Sequence, residues 1–386
     1  MPMHDATPFI DWILNTARLQ GLQTLTDELG PRLRAAGIPL MRLRIGMRTT
    51  HPLIAAVSYI WDPGGDDAED KAQLRAPHGI ETRSTYIGRP MEIISTEQAP
   101  YRRRLDDTLG PEDHLILHEL KARGASDWYG RPMRFATGSF GIIIFVADGP
   151  GFSADDMVLM DRLADVLAPV VEARRHDHLA TAIATSYLGP RTGQRVLDGQ
   201  ITRGDIETTE AAILFSDIRG WTALNATQSP DTVLDVANRY FEVMSDAIDN
   251  NNGEILKFMG DGVLAFFPSD GTDSGKIAAC RQAISAAHAA LGIAALGDLP
   301  VPFGTGIHYG ALLYGNVGAR ERIDFTVLGQ SVNIASRVEA FCSRLDRTVL
   351  VSEDVARVVD LPLEHVATET LKGLDQPMSL YSPLNT

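Results

Sequence analysis

The chain has 386 residues, 44% of them hydrophobic, enough for two or three domains with real cores. Lys plus Arg number 35 and Asp plus Glu 50, so the net charge is −15, which argues against broad binding to nucleic acid or to an anionic membrane surface. An anionic nucleotide can still bind where local Lys, Arg and metal outweigh that field.

The two cysteines, Cys280 and Cys342, sit in apolar, helix-like stretches and read as buried small hydrophobes in a reducing compartment. The longest apolar run, Ile142–Ala147, is too short to cross a bilayer. The N-terminus carries Asp5 and Asp11 and shows no secretory pattern. A soluble, cytoplasmic protein without a membrane span is expected.

In chain order, apolar residues at Ile10, Ile13, Leu14, Ala17, Leu22 and Leu25 predict a helix over Pro8–Leu29. Strands are expected at Met41–Met47 and Leu53–Trp61, a surface loop at Asp62–Asp67 and another strand at Thr82–Ile87. His114–Lys121 reads as a helix, and Trp128–Phe135 with Ser139–Ala147 as a hairpin broken at Gly138. Ser153 suits an N-cap, with Asp155 and Asp156 at the positive end of a long helix kinked at Pro169. His51, His78, His114 and His118 read as ordinary solvated histidines. This layout, with its ending GFSADDMVLMDRLADVLAPVVEARR, resembles a GAF-type sensor domain over residues 1–178. The resemblance implies an α+β sensor for an unknown small-molecule or protein effector.

Residues 179–205 read as a helical, semi-rigid transducer, broken at Leu188-Gly189-Pro190 with a short helical turn at Gln194–Leu197. From Glu210 the pattern is β, α, β, β, α, β. Ala211–Phe215 is the first strand, and Ser229-Pro230 starts a helix with the stripe Val233, Leu234, Ala237, Tyr240, Phe241, Met244 and Ile248. A hairpin Glu254–Phe267 turns at Gly260-Asp261-Gly262, and a second helix spans Gly275–Leu296. Strands follow at Phe303–His308, Leu312–Asn316 and Asp324–Leu328, then a helix over Ser331–Leu345. Two helices on one face of an antiparallel sheet make a ferredoxin-like α+β unit over residues 206–386.

Two acidic turns stand out at the ends of strand-like runs: Asp217 after Ala211–Phe215, and Asp261 with Lys257 close by. Asp261 alone could be a hairpin turn residue, and Asp217 alone a cap. Brought together as sheet neighbours, two carboxylates suit hard divalent cations for phosphoryl chemistry. Asn333 and Arg337 are four apart and share a helix face after a glycine turn, and arginine's planar fork suits phosphate oxygens.

The strings ILFSDIRGWT, GEILKFMGDGVLAFF, GIHYGALLYGNVG, DFTVLGQSVNIASRVEAF and LKGLDQPMSLY, in this order, resemble the class III nucleotidyl cyclase catalytic domain. The resemblance implies that Asp217, Asp261 and the backbone of Ile218 hold two Mg²⁺ or Mn²⁺ ions. Phe215, the turn Arg219, Gly220, Trp221 and Thr222, and Gly260 would lie along the substrate, and Lys372 at its terminal phosphates. Lys257 and Thr326 match the purine readers of a lysine–threonine subgroup, which favours ATP. Asn333 and Arg337 match the ribose-orienting and transition-state residues. It further implies a homodimer with active sites at the catalytic-domain interface. The alternatives are a guanylate cyclase, a non-catalytic nucleotide-binding module, and a two-metal phosphodiesterase or nuclease, the last disfavoured by the acidic charge.

Overall fold

The computed structural model describes residues 4–49, 51–65, 74–79, 87–298, 301–372 and 376–384. The chain divides into two units, Met1–Ile183 and Ala184–Thr386.

The first unit is built on a six-stranded antiparallel sheet. Its strands are β1 (Leu40–Arg48), β2 (Ile54–Trp61), β3 (Leu74–Pro77), β4 (Tyr101–Arg104), β5 (Asp127–Arg134) and β6 (Phe140–Ala147), in the order β3-β2-β1-β6-β5-β4. Helices α1 (Thr7–Asn15) and α2 (Leu22–Ala35) and the first turns of α5 (Ala154–Leu188) bury one face around Leu29, Ile45, Phe145 and Leu163. Helices α3 (Pro90–Glu97) and α4 (Leu115–Ala122) cover the other around Ile94, Leu117, Trp128 and Ile144. The expected single helix Pro8–Leu29 is two helices joined by a 3₁₀ turn at Ala17–Leu19. Gly21 is extended there, which turns Leu22, Leu25 and Leu29 onto the sheet while Leu14 stays exposed. Asp62, expected in a surface loop, is buried because it accepts from Arg123 at 2.8 Å. The strand expected at Thr82–Ile87 lies, Ile87 excepted, outside the described residues, as do Asp66 and Asp67. Ser153 Oγ accepts from Asp156 N–H at 3.2 Å and starts α5, which carries Pro169 within it.

The second unit opens with the end of α5 and helix α6 (Pro190–Leu197), separated by Gly189 at φ +86°. Then come β7 (Ile206–Ile218), α7 (Trp221–Thr227), α8 (Pro230–Asp249), β8 (Glu254–Met259), β9 (Gly262–Ser269), α9 (Asp273–Ile293) and β10 (Phe303–Gly318). The order β10-β7-β9-β8, all antiparallel, is the ferredoxin-like βαββαβ arrangement. The remaining elements are β11 (Ile323–Leu328), α10 (Gln330–Arg344), β12 (Val349–Ser352), α11 (Glu353–Ala356), β13 (Leu363–Glu369) and β14 (Met378–Pro383). β12, β14 and β13 extend the sheet beyond β10, and β11 folds back on β10.

Alternation along β7 decides which helix goes where. Ala212 and Leu214 meet α8 and α9, while Ala211 and Ile213 meet β11 and α10 on the opposite face. Ser229 Oγ caps α8 by accepting from Thr232 N–H at 3.3 Å. The α8 stripe is corrected: Leu234 is 58% exposed, and Val236, Val243 and Ala247 are buried instead. The two strands expected at Phe303–His308 and Leu312–Asn316 are one continuous strand. Gly310, between the two expected strands, is a point of close approach: a Cβ there would lie 2.4 Å from Ser331 Oγ. Gly306 does the same further along, where a Cβ would lie 2.2 Å from the Glu339 backbone nitrogen. Among the described residues, Asp273–Gly297 is the one helical stretch long and apolar enough to cross a membrane, at mean hydropathy 1.2. Its Ala279, Cys280, Ala283, Ala287 and Ala290 are packed into the core of the unit.

Candidate active site

Asp217 sits one residue before the end of β7, and its register partner on β9 is Gly262. Asp261 lies in the β8–β9 turn, which Gly260 closes at φ +67°. The Ile218 N–H points at Asp261 O, 3.4 Å away. The two aspartates, 44 positions apart by number, thus become neighbours at one end of the sheet. A Cβ on Gly262 would lie 3.4 Å from Asp217 Oδ1, so glycine keeps space beside that carboxylate.

Behind Asp217 is a buried hydroxyl network. Tyr240 Oη donates to Ser216 Oγ at 2.8 Å, Ser216 Oγ donates to Gly304 O at 2.8 Å, and Thr305 Oγ1 donates to Ser216 Oγ at 3.2 Å. It ties α8, β7 and β10 together directly under the acidic end. Burial, and then the neighbouring Asp261, push Asp217 up to about 6. Glu339 on α10 joins this group. It reaches over Gly304, the β10 partner of Asp217, where a Cβ would lie 2.5 Å from Glu339 Oε1. Burial first, then Asp217, push Glu339 up to about 7, against the opposing charge of Arg219.

Arg219 donates to Arg347 O, and its own N–H donates to Pro302 O at 2.8 Å. Gly220, at φ +72°, caps α7. Trp221 is half-buried against the α8 side of the core, Thr222 is exposed, and Phe215 packs half-buried on the α10 face. On β8, Lys257 forms an ion pair with Asp324 on β11. Thr326, its sequence-predicted companion, stands two residues on along the same face of β11. A carboxylate attracts the ammonium more strongly than a neutral hydroxyl does, which is why Asp324 takes it. A cavity of about 440 Å³ adjoins this pair, lined by Tyr187, Pro190, Lys257, Phe258, Asp324 and Phe325. Asn333 is exposed and Arg337 half-buried on α10, whose Ile334, Ala335 and Val338 face the core. Lys372 is exposed after the buried Leu371.

One chain therefore brings together Asp217, Asp261, Arg219 and Glu339, and separately Lys257, Asp324 and Thr326. Among the described residues no hydrogen bond or ion pair joins Asn333 or Arg337 to either aspartate. Glu339 and Asp324 escape sequence reading because nothing local marks them. The only signal is position, Glu339 two residues after Arg337 and Asp324 two before Thr326. Among the described residues no group of three or more His, Cys, Asp or Glu forms a metal cage. Two crowded hard-oxygen donors, one of them driven towards its protonated form by burial and then by the other, still fit a divalent cation that completes its shell with phosphate oxygens and water.

Residues 206–382 match the family described as the adenylate and guanylate cyclase catalytic domain. An adenylate cyclase of Anabaena cylindrica is 33% identical over 187 residues, covering 46% of this chain and 37% of that protein. Adenylate cyclase 1 of Rhizobium meliloti is 30% identical over 181 residues, covering 45% of this chain and 27% of that one. The chain thus spans well under half the length of these curated relatives. Among solved structures, the adenylyl cyclase CyaB from P. aeruginosa aligns over 47% of this chain and 97% of its own, at 27% identity and a TM-score of 0.41. The guanylyl cyclase Cya2 aligns over 45% and 91%, at 26% identity and a TM-score of 0.37. Over residues 206–382 the second unit is thus similar to an adenylate and guanylate cyclase catalytic domain.

Proposed function

We propose that the second unit converts ATP to 3′,5′-cyclic AMP and pyrophosphate, as a homodimer in the cytoplasm. The observation that carries this reading is the convergence of Asp217 and Asp261 at the matched ends of β7 and β9. Divalent metal bound there would supply charge neutralisation of the triphosphate and acidify the ribose 3′-hydroxyl. Asp217, Asp261 and the Ile218 carbonyl would hold it. The backbone of the Arg219–Thr222 turn would border the phosphates. Arg337 would meet charge developing at the α-phosphorus, and Asn333 would orient the ribose. Lys372 would reach the terminal phosphates.

ATP is favoured over GTP by the purine-side residues. Lys257 donates to a ring nitrogen, while Thr326 and the Asp324 carboxylate accept from a 6-amino group. The O6 of guanine, an acceptor, would be repelled by that carboxylate. The dimer reading is consistent with Asn333 and Arg337 making no hydrogen bond or ion pair to either aspartate among the described residues. Exposed apolar side chains on the same unit, among them Leu234, Phe258, Leu313 and Ile323, add to it. We read the first unit as a GAF-type sensor that adjusts how two catalytic units meet.

The test is product formation by the purified chain with ATP or GTP and with Mg²⁺ or Mn²⁺, beside Asp217→Ala. Cyclic AMP that vanishes in the variant supports the reading. Cyclic GMP in preference overturns the purine assignment. ATP binding without turnover under every condition, added bicarbonate included, replaces the enzyme with a nucleotide-binding module.

A further inference from the structure

Residues Ala212, Leu214, Ser216 and Ile218 of β7 alternate onto the sheet face that α8 and α9 cover. The other three are apolar and join the core there, whereas Ser216, immediately before Asp217, brings a hydroxyl. Ser216 and its two partners, Tyr240 and Thr305, are all 0% exposed. Aliphatic side chains would fill this space without the desolvation cost of three buried hydroxyls, so packing alone does not call for them.

The hydrogen bonds use the whole capacity of Ser216. Its Oγ accepts from Tyr240 Oη and Thr305 Oγ1 and donates to Gly304 O. One donor and two acceptor sites are all that a serine hydroxyl has. Each partner is tied to a register position: Thr305 faces Ser216 itself, and Gly304 faces Asp217. The Tyr240 ring packs against Phe303, centroids 5.7 Å apart, and Phe303 faces Ile218. Burial holds the Tyr240 phenol well above its ordinary range, so it stays a donor near neutral pH. Helix α8 and strand β10 thus grip three consecutive residues at the end of β7. A slip of one residue would turn Ser216 onto the α10 face and Asp217 into the apolar core.

We propose that Ser216, held by Tyr240 and Thr305, is the positioning residue of the metal site. It fixes the end of β7 so that the Asp217 carboxylate and the Ile218 carbonyl stand opposite Asp261 before a cation arrives. The hydroxyls touch neither cation nor substrate and act through the strand. This inference rests on the reading of Asp217 and Asp261 as metal ligands.

Mn²⁺ titration of the nucleotide-free full chain, followed by electron paramagnetic resonance, tests it beside Asp217→Ala. Ser216→Ala removes the centre of the network, and Tyr240→Phe keeps the ring while removing one donor. Ser216→Ala is expected to weaken the Asp217-dependent Mn²⁺ site about tenfold, the low end for groups that orient metal ligands, and Tyr240→Phe at least about threefold. Thr192→Val, which removes buried hydroxyl contacts to Glu254 and Tyr314, serves as the control for lost stability and leaves Mn²⁺ affinity unchanged. Cyclic AMP formation by Tyr240→Phe recovers as Mn²⁺ is raised, and that by Asp217→Ala does not. Melting curves show which variants are folded at the assay temperature. Mn²⁺ affinity within about twofold of wild type in a folded Tyr240→Phe or Ser216→Ala protein would leave the network a purely structural role and overturn the proposal. An equal loss of affinity in Thr192→Val would do the same. Wild-type Mn²⁺ binding that survives Asp217→Ala unchanged, or no binding at all, would remove the metal assignment itself and the proposal with it.

Discussion

Replacing Thr192 by valine should loosen the segment that leads into the catalytic unit. Glu254, 1% exposed at the start of β8, accepts through Oε1 from Thr192 N–H at 3.0 Å and from Thr192 Oγ1 at 2.9 Å. Thr192 Oγ1 also lies 2.7 Å from Tyr314 Oη. Valine keeps the shape and the backbone bond but removes both hydroxyl contacts. A hydrogen bond to a charged group contributes about 1.5–3 kcal/mol and a neutral one about 0.5–1.5 kcal/mol. The expected loss is therefore about 3 kcal/mol, or roughly 6–12 °C for a unit of this size. Differential scanning calorimetry of the full chain reads the transition of the second unit. Burial raises the Glu254 pKa and Thr192 opposes that rise, so Thr192 favours the ionised form. The cost of the substitution should thus be larger at pH 8 than at pH 4, where the carboxyl is protonated. A shift below about 1 °C, or an equal shift at both pH values, would refute the reasoning.

Asp217→Ala should abolish cyclic nucleotide formation yet raise the melting temperature of the metal-free protein at pH 8, because it relieves crowding with Asp261; a lowered melting temperature would contradict that. With the folded Asp217 at about 6 against an ordinary 3.8, its contribution to stability is full below about pH 4 and lost as pH rises through 6. Mn²⁺ should recover that loss at pH 7, and melting curves with and without the ion decide it. Asp324→Ala should change stability by less than about 1 kcal/mol, since the pair with Lys257 is partly exposed. It should also alter the KM ratio for ATP against GTP, and an unchanged ratio would remove Asp324 from purine reading. Mixing Asp217→Ala with Arg337→Ala, each inactive alone, should restore about one quarter of the wild-type activity, because half of the dimers are mixed and each has one intact site. No recovery despite mixed dimers on native mass spectrometry would place both residues in one chain's site.

Much of the second unit is legible because its signals are local. Ser229-Pro230 caps and starts a helix in one step, and Gly260-Asp261-Gly262 turns a hairpin between two apolar runs. What is lost is what tertiary packing decides. Residues 309–311 fall between two expected strands, but the strand runs on through Gly310, where α10 crosses it and leaves no room for a Cβ, as it does at Gly306. Leu234 fits a helical stripe by spacing and still faces outward, because Val236 and Val243 take the contact with the core. Helix α7 carries no buried residue and therefore no periodic pattern to detect.

The same distinction bears on the site. Sequence motifs name Asp217, Asp261, Asn333 and Arg337 as one constellation, whereas the fold gives the aspartates a different companion, Glu339, within the chain. Burial and mutual repulsion among these carboxyl groups, with Arg219 opposing the shift of Glu339, move Asp217 and Glu339 towards their neutral forms. Cation binding and the approach of a second chain's Arg337 would each relieve that strain, so metal, substrate and dimer formation should reinforce one another. Under the proposed function, such a domain would stay inactive until a second copy is brought to it, and the first unit, if it is a sensor, would act at that step.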